Sequence, residues 1–212
     1  MFGSYLCPSC FSQLSFDTKV ICLECGRGSI DGRTHPLCKK QASISGVFCG
    51  VTYNFVAKKL VYNLKYKPYI SQVEKEIVEL CYESLIQKEV FMKIVSSTCV
   101  LVPIPLAARK FRQRGYNQSL LLAYGLAKKF SLPVADVLRR KKETKPQFGL
   151  QKDERKKNIK DAFILKGAIP SDVATVLLID DVLTTGATLM EASKLLKQCG
   201  VREVWGITFA RD

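Results

Sequence analysis

The segment from Val176 to Thr188, Val-Leu-Leu-Ile-Asp-Asp-Val-Leu-Thr-Thr-Gly-Ala-Thr, restricts the fold more than any other. Its four leading apolar residues suit a central strand covered on both faces. Asp180 and Asp181 follow at the carboxyl edge of that strand, the place where open α/β sheets bind ligands. Thr184-Thr185-Gly186-Ala187-Thr188 then opens a helix whose apolar face includes Leu189, Leu195 and Leu196. A loop at a helix N-terminus presents unpaired backbone N–H groups, and the helix dipole adds to their pull on an anion. Small hydroxyl residues and one glycine let a phosphate come close. Carboxylates are poor phosphate ligands, so the acid pair must face something else. Two neighbouring sugar hydroxyls, bound directly or through Mg²⁺, match in chemistry and reach. The plain alternative is an Asp-rich turn with a threonine cap, but two adjacent acids are a costly way to build one. No Gly-Lys-Ser/Thr follows, which argues against a nucleoside triphosphatase loop.

The rest of the chain frames this segment in three textures. Residues 1–46 are rich in Cys, Gly and Ser with little periodicity. From Val47 onward the pattern is α/β. A strand is expected at VFCGVTYNFV, helices over Val56–Tyr66 and Val73–Met92, and a buried strand over Thr98–Ile104. Gln118–Phe130 reads as helix and Val134–Leu138 as a strand. The basic stretch Arg139–Lys160 reads as an exposed arm or hairpin returning to a strand at Ala162–Leu165. A strand (Ala174–Ile179), a helix (Ala187–Cys199) and a last strand (Glu203–Thr208) complete the chain. Helices between apolar strands predict a mostly parallel sheet covered on both sides. The expected division is a small N-terminal module, 1–46, and an α/β domain, 47–212. No apolar run approaches the roughly 18 residues of a membrane span, and the N-terminus lacks the pattern of a secretory signal. A cytoplasmic protein without membrane insertion is expected.

The net charge is +14 and is unevenly placed. From Arg109 to Lys160 there are sixteen Lys/Arg against four Asp/Glu, so this quarter of the chain carries +12. A solvated face would interleave the two signs, whereas a block of one sign suits a polyanion, with nucleic acid foremost and phosphate-rich small substrates as the alternative.

Cys7-x2-Cys10 and Cys22-x2-Cys25 have the spacing of a four-thiolate zinc site, closed and therefore structural. His35, the only histidine, and Cys38 form a rival pair with the same spacing, although a lone histidine in a polar loop is usually solvated. Cys49, Cys81, Cys99 and Cys199 sit in apolar patterns and read as core thiols. A redox role for the paired cysteines is disfavoured, because no thioredoxin-like βαβ context surrounds them.

Residues 176–188 resemble the 5-phosphoribosyl-1-pyrophosphate (PRPP) signature of type I phosphoribosyltransferases. The resemblance implies that Asp180 and Asp181 hold the ribose hydroxyls while Thr184, Thr185, Gly186, Ala187 and Thr188 cradle the 5-phosphate. Purine-salvage members carry an aspartate acid/base at the position of Thr184, so that chemistry is put in doubt here. Leu64-Lys65, Val102-Pro103-Ile104-Pro105, Arg109, Arg112, Gln113 to Gln118, Gln147, Arg155, Asn158 and Ala162-Phe163 narrow the match. With the cysteine module they resemble the ComF (ComFC) family, whose members take part in natural transformation by bacteria. The resemblance implies a PRPP site completed by Pro105 and Arg109 in a pyrophosphate loop, with Mg²⁺, and a hood over Arg139–Asn158. It also implies handling of single-stranded DNA alongside a helicase and a membrane DNA channel. Arg112, Arg114, Tyr116, Lys141, Lys142, Arg155, Lys156 and Lys157 are the candidate DNA contacts. No dedicated nucleophile is visible, so turnover on an unidentified acceptor is the alternative to binding alone.

Overall fold

The computed structural model describes residues 5–18, 20–66, 70–95, 98–141 and 159–212. Its framework is a four-stranded sheet of β1 (Gly46–Thr52), β2 (Cys99–Pro103), β5 (Thr175–Leu183) and β6 (Glu203–Arg211), in the order β1-β6-β5-β2. Every pairing in it is parallel. Along β5 the side chains alternate between two cores, as a strand covered on both faces requires. Leu177 and Ile179 join the core under helices α3 (Ile70–Ile86) and α6 (Gln118–Phe130). Val176 and Leu178 join the opposite one, under α7 (Ala187–Gln198). The expected α/β class and two-sided cover are what the chain adopts.

Helix α2 (Phe55–Lys65) is capped by Asn54, whose side chain accepts from the Ala57 N–H at 3.0 Å. Asn117 caps α6 in the same way. The long helix expected over Val73–Met92 is two: α3 ends at Ile86, and a short α4 (Glu89–Ile94) turns Phe91 into the core, edge-on to Phe48 at 5.5 Å. The strand expected at Val134–Leu138 is displaced. Val134 makes only an isolated bridge to Leu101, while β3 (Leu138–Arg140) pairs antiparallel with β4 (Phe163–Leu165). This hairpin brackets the basic stretch, of which residues 142–158 lie outside those described. Cys49, Cys81 and Cys99 are buried as expected, but Cys199 is exposed, because α7 ends there and Cys199 is its C-cap. Among the described residues no helix is long and apolar enough to cross a membrane.

The N-terminal segment lies along β1. Val47 N–H donates to Gly32 O at 3.1 Å, Thr34 N–H donates to Ser45 O at 2.8 Å, and Phe16 bridges Val51. Buried Asp17 pairs with Arg211 at the end of β6. Leu23 and Ile44 contribute to the core beneath α7.

Candidate functional site

Strand β5 does not stop before the acids, as its hydrophobicity suggests. It continues through them in register, with Asp180 opposite Thr208 and Val182 opposite Ala210. The carboxylates are therefore fixed on a rigid strand near its carboxyl end. Asp180 accepts from Ser119 Oγ at 3.1 Å and from the Asp181 N–H at 2.9 Å. Asp181, buried, is paired with Lys65 Nζ at 2.6 Å. Burial would lower the Lys65 pKa, but the charge and hydrogen bond of Asp181 outweigh it, so the ammonium is held firmly protonated. Burial pushes Asp180 up to about 7, and the adjacent Asp181 adds to the shift.

Three elements bring cations to this pair. Lys65 ends α2, Arg140 comes from the hairpin with its charge felt at Asp180, and Lys110 and Arg114 come from helix α5 (Ala108–Arg114). Desolvation, then Arg140, Lys65 and Arg114, push the Lys110 pKa down. Burial is the larger cause, and the three neighbouring cations add to it. Tyr116 fastens the arrangement: its hydroxyl donates to Leu64 O at 2.5 Å, holding the end of α2 where Lys65 departs. Buried Asn117 donates to Ile104 O at 3.0 Å, which ties α6 to the loop after β2. That loop carries Pro105, buried, beside β5, where Ile104 N–H donates to Ile179 O at 2.9 Å.

After β5, Thr184 is exposed and Gly186 is buried as the N-cap of α7, with φ +72°. Only glycine takes this conformation without strain. Thr185 Oγ1 accepts from the Ala187 N–H at 3.4 Å. The first-turn N–H groups of a 12-residue helix therefore open beside the acid pair, as the motif requires.

The remaining basic candidates separate. Arg112 and Lys141 line one groove of about 680 Å³ with Pro105, Phe111, Arg139 and Arg140, between α5 and the hairpin. Phe111 is 49% exposed there, an aromatic face open to a stacking partner. Arg109 is exposed on α5 and does not line that groove. Arg114 and Tyr116 instead face the end of α2, with the Arg114 guanidinium 5.7 Å from the Tyr66 ring centre. Lys142, Arg155, Lys156 and Lys157 lie outside the described residues, as do Gln147 and Asn158.

The metal donors regroup relative to the expected set. Cys22 and Cys25 converge with His35 and Cys38, all ligand atoms within 4.8 Å of one another. Cys7 and Cys10 are absent from that group and pair with each other, with Lys59 of α2 near Cys10. The four donors fit zinc, whose tetrahedron of ~2.3 Å bonds to sulfur has edges of about 3.8 Å. Histidine chemistry agrees. His35 Nε2 lies 2.8 Å from Gly28 O, so that nitrogen carries the proton and Nδ1, 3.4 Å from Cys25 Sγ, keeps a free lone pair. The rival pair, not the symmetric one, completes the site. Accordingly, Cys7→Ser with Cys10→Ser is expected to leave the zinc content at about one ion per chain. Cys25→Ser with Cys38→Ser removes it, measured by metal analysis of purified protein.

Residues 117–212, a little under half of the chain, match the phosphoribosyl transferase domain family. The chain is also a homologue of the competence proteins F and ComFC. It is 41% identical over 116 residues to competence protein F of Haemophilus influenzae, covering 52% of this chain and 50% of that protein. It is 33% identical over 111 residues to competence protein ComFC of Streptococcus pneumoniae, covering 52% and 47%. It is 34% identical over 108 residues to DNA utilization protein YhgH of Escherichia coli K12, covering 50% and 47%. The matched stretch spans about half the length of these relatives.

Proposed function

We propose that the chain is a DNA-uptake factor of natural transformation that binds PRPP with Mg²⁺ and single-stranded DNA through its phosphoribosyl transferase domain. The observation that carries the PRPP reading is the rigid acid pair on β5, crowded by four cations and set beside the N-terminus of α7. PRPP matches that arrangement: vicinal hydroxyls for the carboxylates, one phosphate for Thr184 to Thr188, and a pyrophosphate for the cations. In this reading Asp180 and Asp181 accept from the ribose hydroxyls, and Lys65 fixes Asp181 and neutralises part of its charge. Lys110, Arg140 and the Pro105 loop receive the pyrophosphate, with Arg109 at the rim. Mg²⁺, a hard cation preferring oxygen ligands, supplies further charge neutralisation. Titration calorimetry with PRPP and Mg²⁺ tests it, and an absence of binding by the intact chain refutes it. Transfer to an unidentified acceptor is the second reading, favoured by the groove that Phe111 lines together with Pro105 and Arg140. Release of inorganic pyrophosphate in the presence of candidate acceptors distinguishes it from binding alone.

The DNA reading draws on the names of the relatives, competence and DNA utilization proteins, and on the +12 block. Arg112 and Lys141 share a groove with an exposed aromatic, the combination that holds single strands by charge and stacking. Lys142, Arg155, Lys156 and Lys157, outside the described residues, belong to the same basic stretch of the sequence. If about four phosphates are neutralised, log affinity falls with log salt at a slope near −3, since single strands give ~0.7 per phosphate. Arg112→Glu with Lys141→Glu flattens that slope and weakens binding, and a salt-insensitive gel shift rejects the assignment. The 1–46 module is structural in this proposal, holding zinc through Cys22, Cys25, His35 and Cys38. A helicase and a membrane DNA channel are the expected partners in a cytoplasmic location.

A further inference from the structure

Leu23 stands between two metal donors, Cys22 and Cys25, yet its side chain is 6% exposed and belongs to the core beneath α7. Its neighbour there is the phosphate loop. A Cβ placed on Gly186 would meet Leu23 Cδ2 at 2.9 Å, Cδ1 at 3.2 Å and Cγ at 3.5 Å. Those three Leu23 atoms are the nearest to that position, so the isobutyl group is the surface against which the loop closes. Gly186 also has φ +72°, which makes it the point where the backbone changes direction into the helix. Ala187 and Leu189 lie in the same core cluster as Leu23.

The Cys22–Cys25 turn that carries Leu23 is tightly bonded. Cys22 N–H donates to Arg27 O at 2.9 Å, Gly26 N–H donates to Cys22 O at 2.8 Å, and His35 N–H donates to Cys22 Sγ at 3.5 Å. Its position nonetheless depends on the four donors staying together, because clustered thiolates repel one another unless a shared cation neutralises them. A short metal turn on one side and a helix N-terminus on the other thus meet at the buried Leu23 side chain.

We propose that the metal turn is the floor of the phosphate loop, so that Leu23 is a positioning residue and metal occupancy orders Thr184 to Thr188. The inference rests on the zinc and PRPP readings only for the ligands that would report it. The coupling itself is between two parts of the chain. By thermodynamic reciprocity, a ligand that needs the ordered loop also tightens the metal turn.

Amide hydrogen exchange on the zinc-loaded full chain tests the coupling without any phosphate ligand. Leu23→Ala is expected to speed exchange across Thr184 to Thr188 while zinc content and the protection of β5 stay at wild-type values. Leu23→Met, which refills the space, restores slow exchange. Unchanged exchange over that loop in Leu23→Ala overturns the proposal. A second measurement uses reciprocity: PRPP with Mg²⁺ slows zinc release to a chelator in the wild type by about tenfold, and does so much less in Leu23→Ala. If the wild type binds no PRPP, that refutes the PRPP reading while the exchange result still decides this one. If PRPP binds and leaves zinc release unaltered, the coupling is refuted and the PRPP site stands.

Discussion

Asp180→Asn with Asp181→Asn is expected to lower the affinity for Mg²⁺-PRPP by at least ~100-fold, because each charge-assisted hydrogen bond lost costs about 1.5–3 kcal/mol. The two positions differ in how they fail. Asp180→Asn keeps the acceptor for Ser119 and removes the group whose pKa lies near 7. The wild type should therefore bind more tightly as pH rises through about 7, since the carboxylate, not the acid, accepts from a hydroxyl or a cation. Below that pH the affinity falls by up to about tenfold per unit, and proton release accompanies binding, measurable by calorimetry in buffers of different ionisation enthalpy. Asp180→Asn removes the dependence. Asp181→Asn instead strands Lys65, a mostly buried ammonium with its 2.6 Å partner gone. Adding Lys65→Met to Asp181→Asn should recover stability but not affinity, a non-additivity read from thermal unfolding beside calorimetry. Additive losses of stability would show that the two side chains do not act as a pair.

The acid pair was legible in the sequence because its chemistry is local: strand, acids, hydroxyl loop and helix follow one another within thirteen residues. What surrounds it was not. Lys65 and Asp181 are 116 positions apart, and nothing in the pattern of a helix end says that its last lysine reaches a carboxylate. Lys110 and Arg140 converge for the same reason, through the packing of α5 and the hairpin and not through spacing. The sheet was readable from apolar runs, but its strand boundaries were set by register. Asp180 and Asp181 stay in β5 because β6 continues beside them. The metal set shows the opposite hazard. Two matching Cys-x2-Cys turns suggested one site by symmetry, whereas folding joined the second turn to His35 and Cys38 and left Cys7 and Cys10 paired with each other. The competing signal was the third two-residue spacing, His35-x2-Cys38, ten residues after Cys25, which counts for little in a sequence because a lone histidine in a polar loop is usually solvated.

Trp205→Ala is expected to destabilise the fold by about 3–5 kcal/mol, the range for removing a large buried aromatic, without changing the ligand site. Trp205 is fully buried on β6 and stacks on Phe48 at 5.1 Å with planes 10° apart. The Arg33 guanidinium sits 5.0 Å from its ring centre, and its Nε1–H donates to Glu203 at 2.8 Å. Gly46, opposite it on β1, is glycine because a Cβ there would lie 2.3 Å from Trp205 Cζ3. One indole therefore joins β1, β6 and the N-terminal segment, and alanine leaves a cavity between all three. Truncation also removes the anchor under Arg33, so proteolysis should cut the N-terminal segment before the sheet. Trp205 pairs with Leu177, three residues ahead of Asp180 on β5, and sits toward the amino end of the strands. Below the unfolding transition the acid pair and the α7 N-terminus keep their geometry, so the affinity for Mg²⁺-PRPP should stay within about twofold of wild type, as distant sites are nearly additive. A loss of affinity parallel to the loss of stability would show that the sheet transmits strain from its amino end to the acid pair, and that the site is less rigid than its register implies.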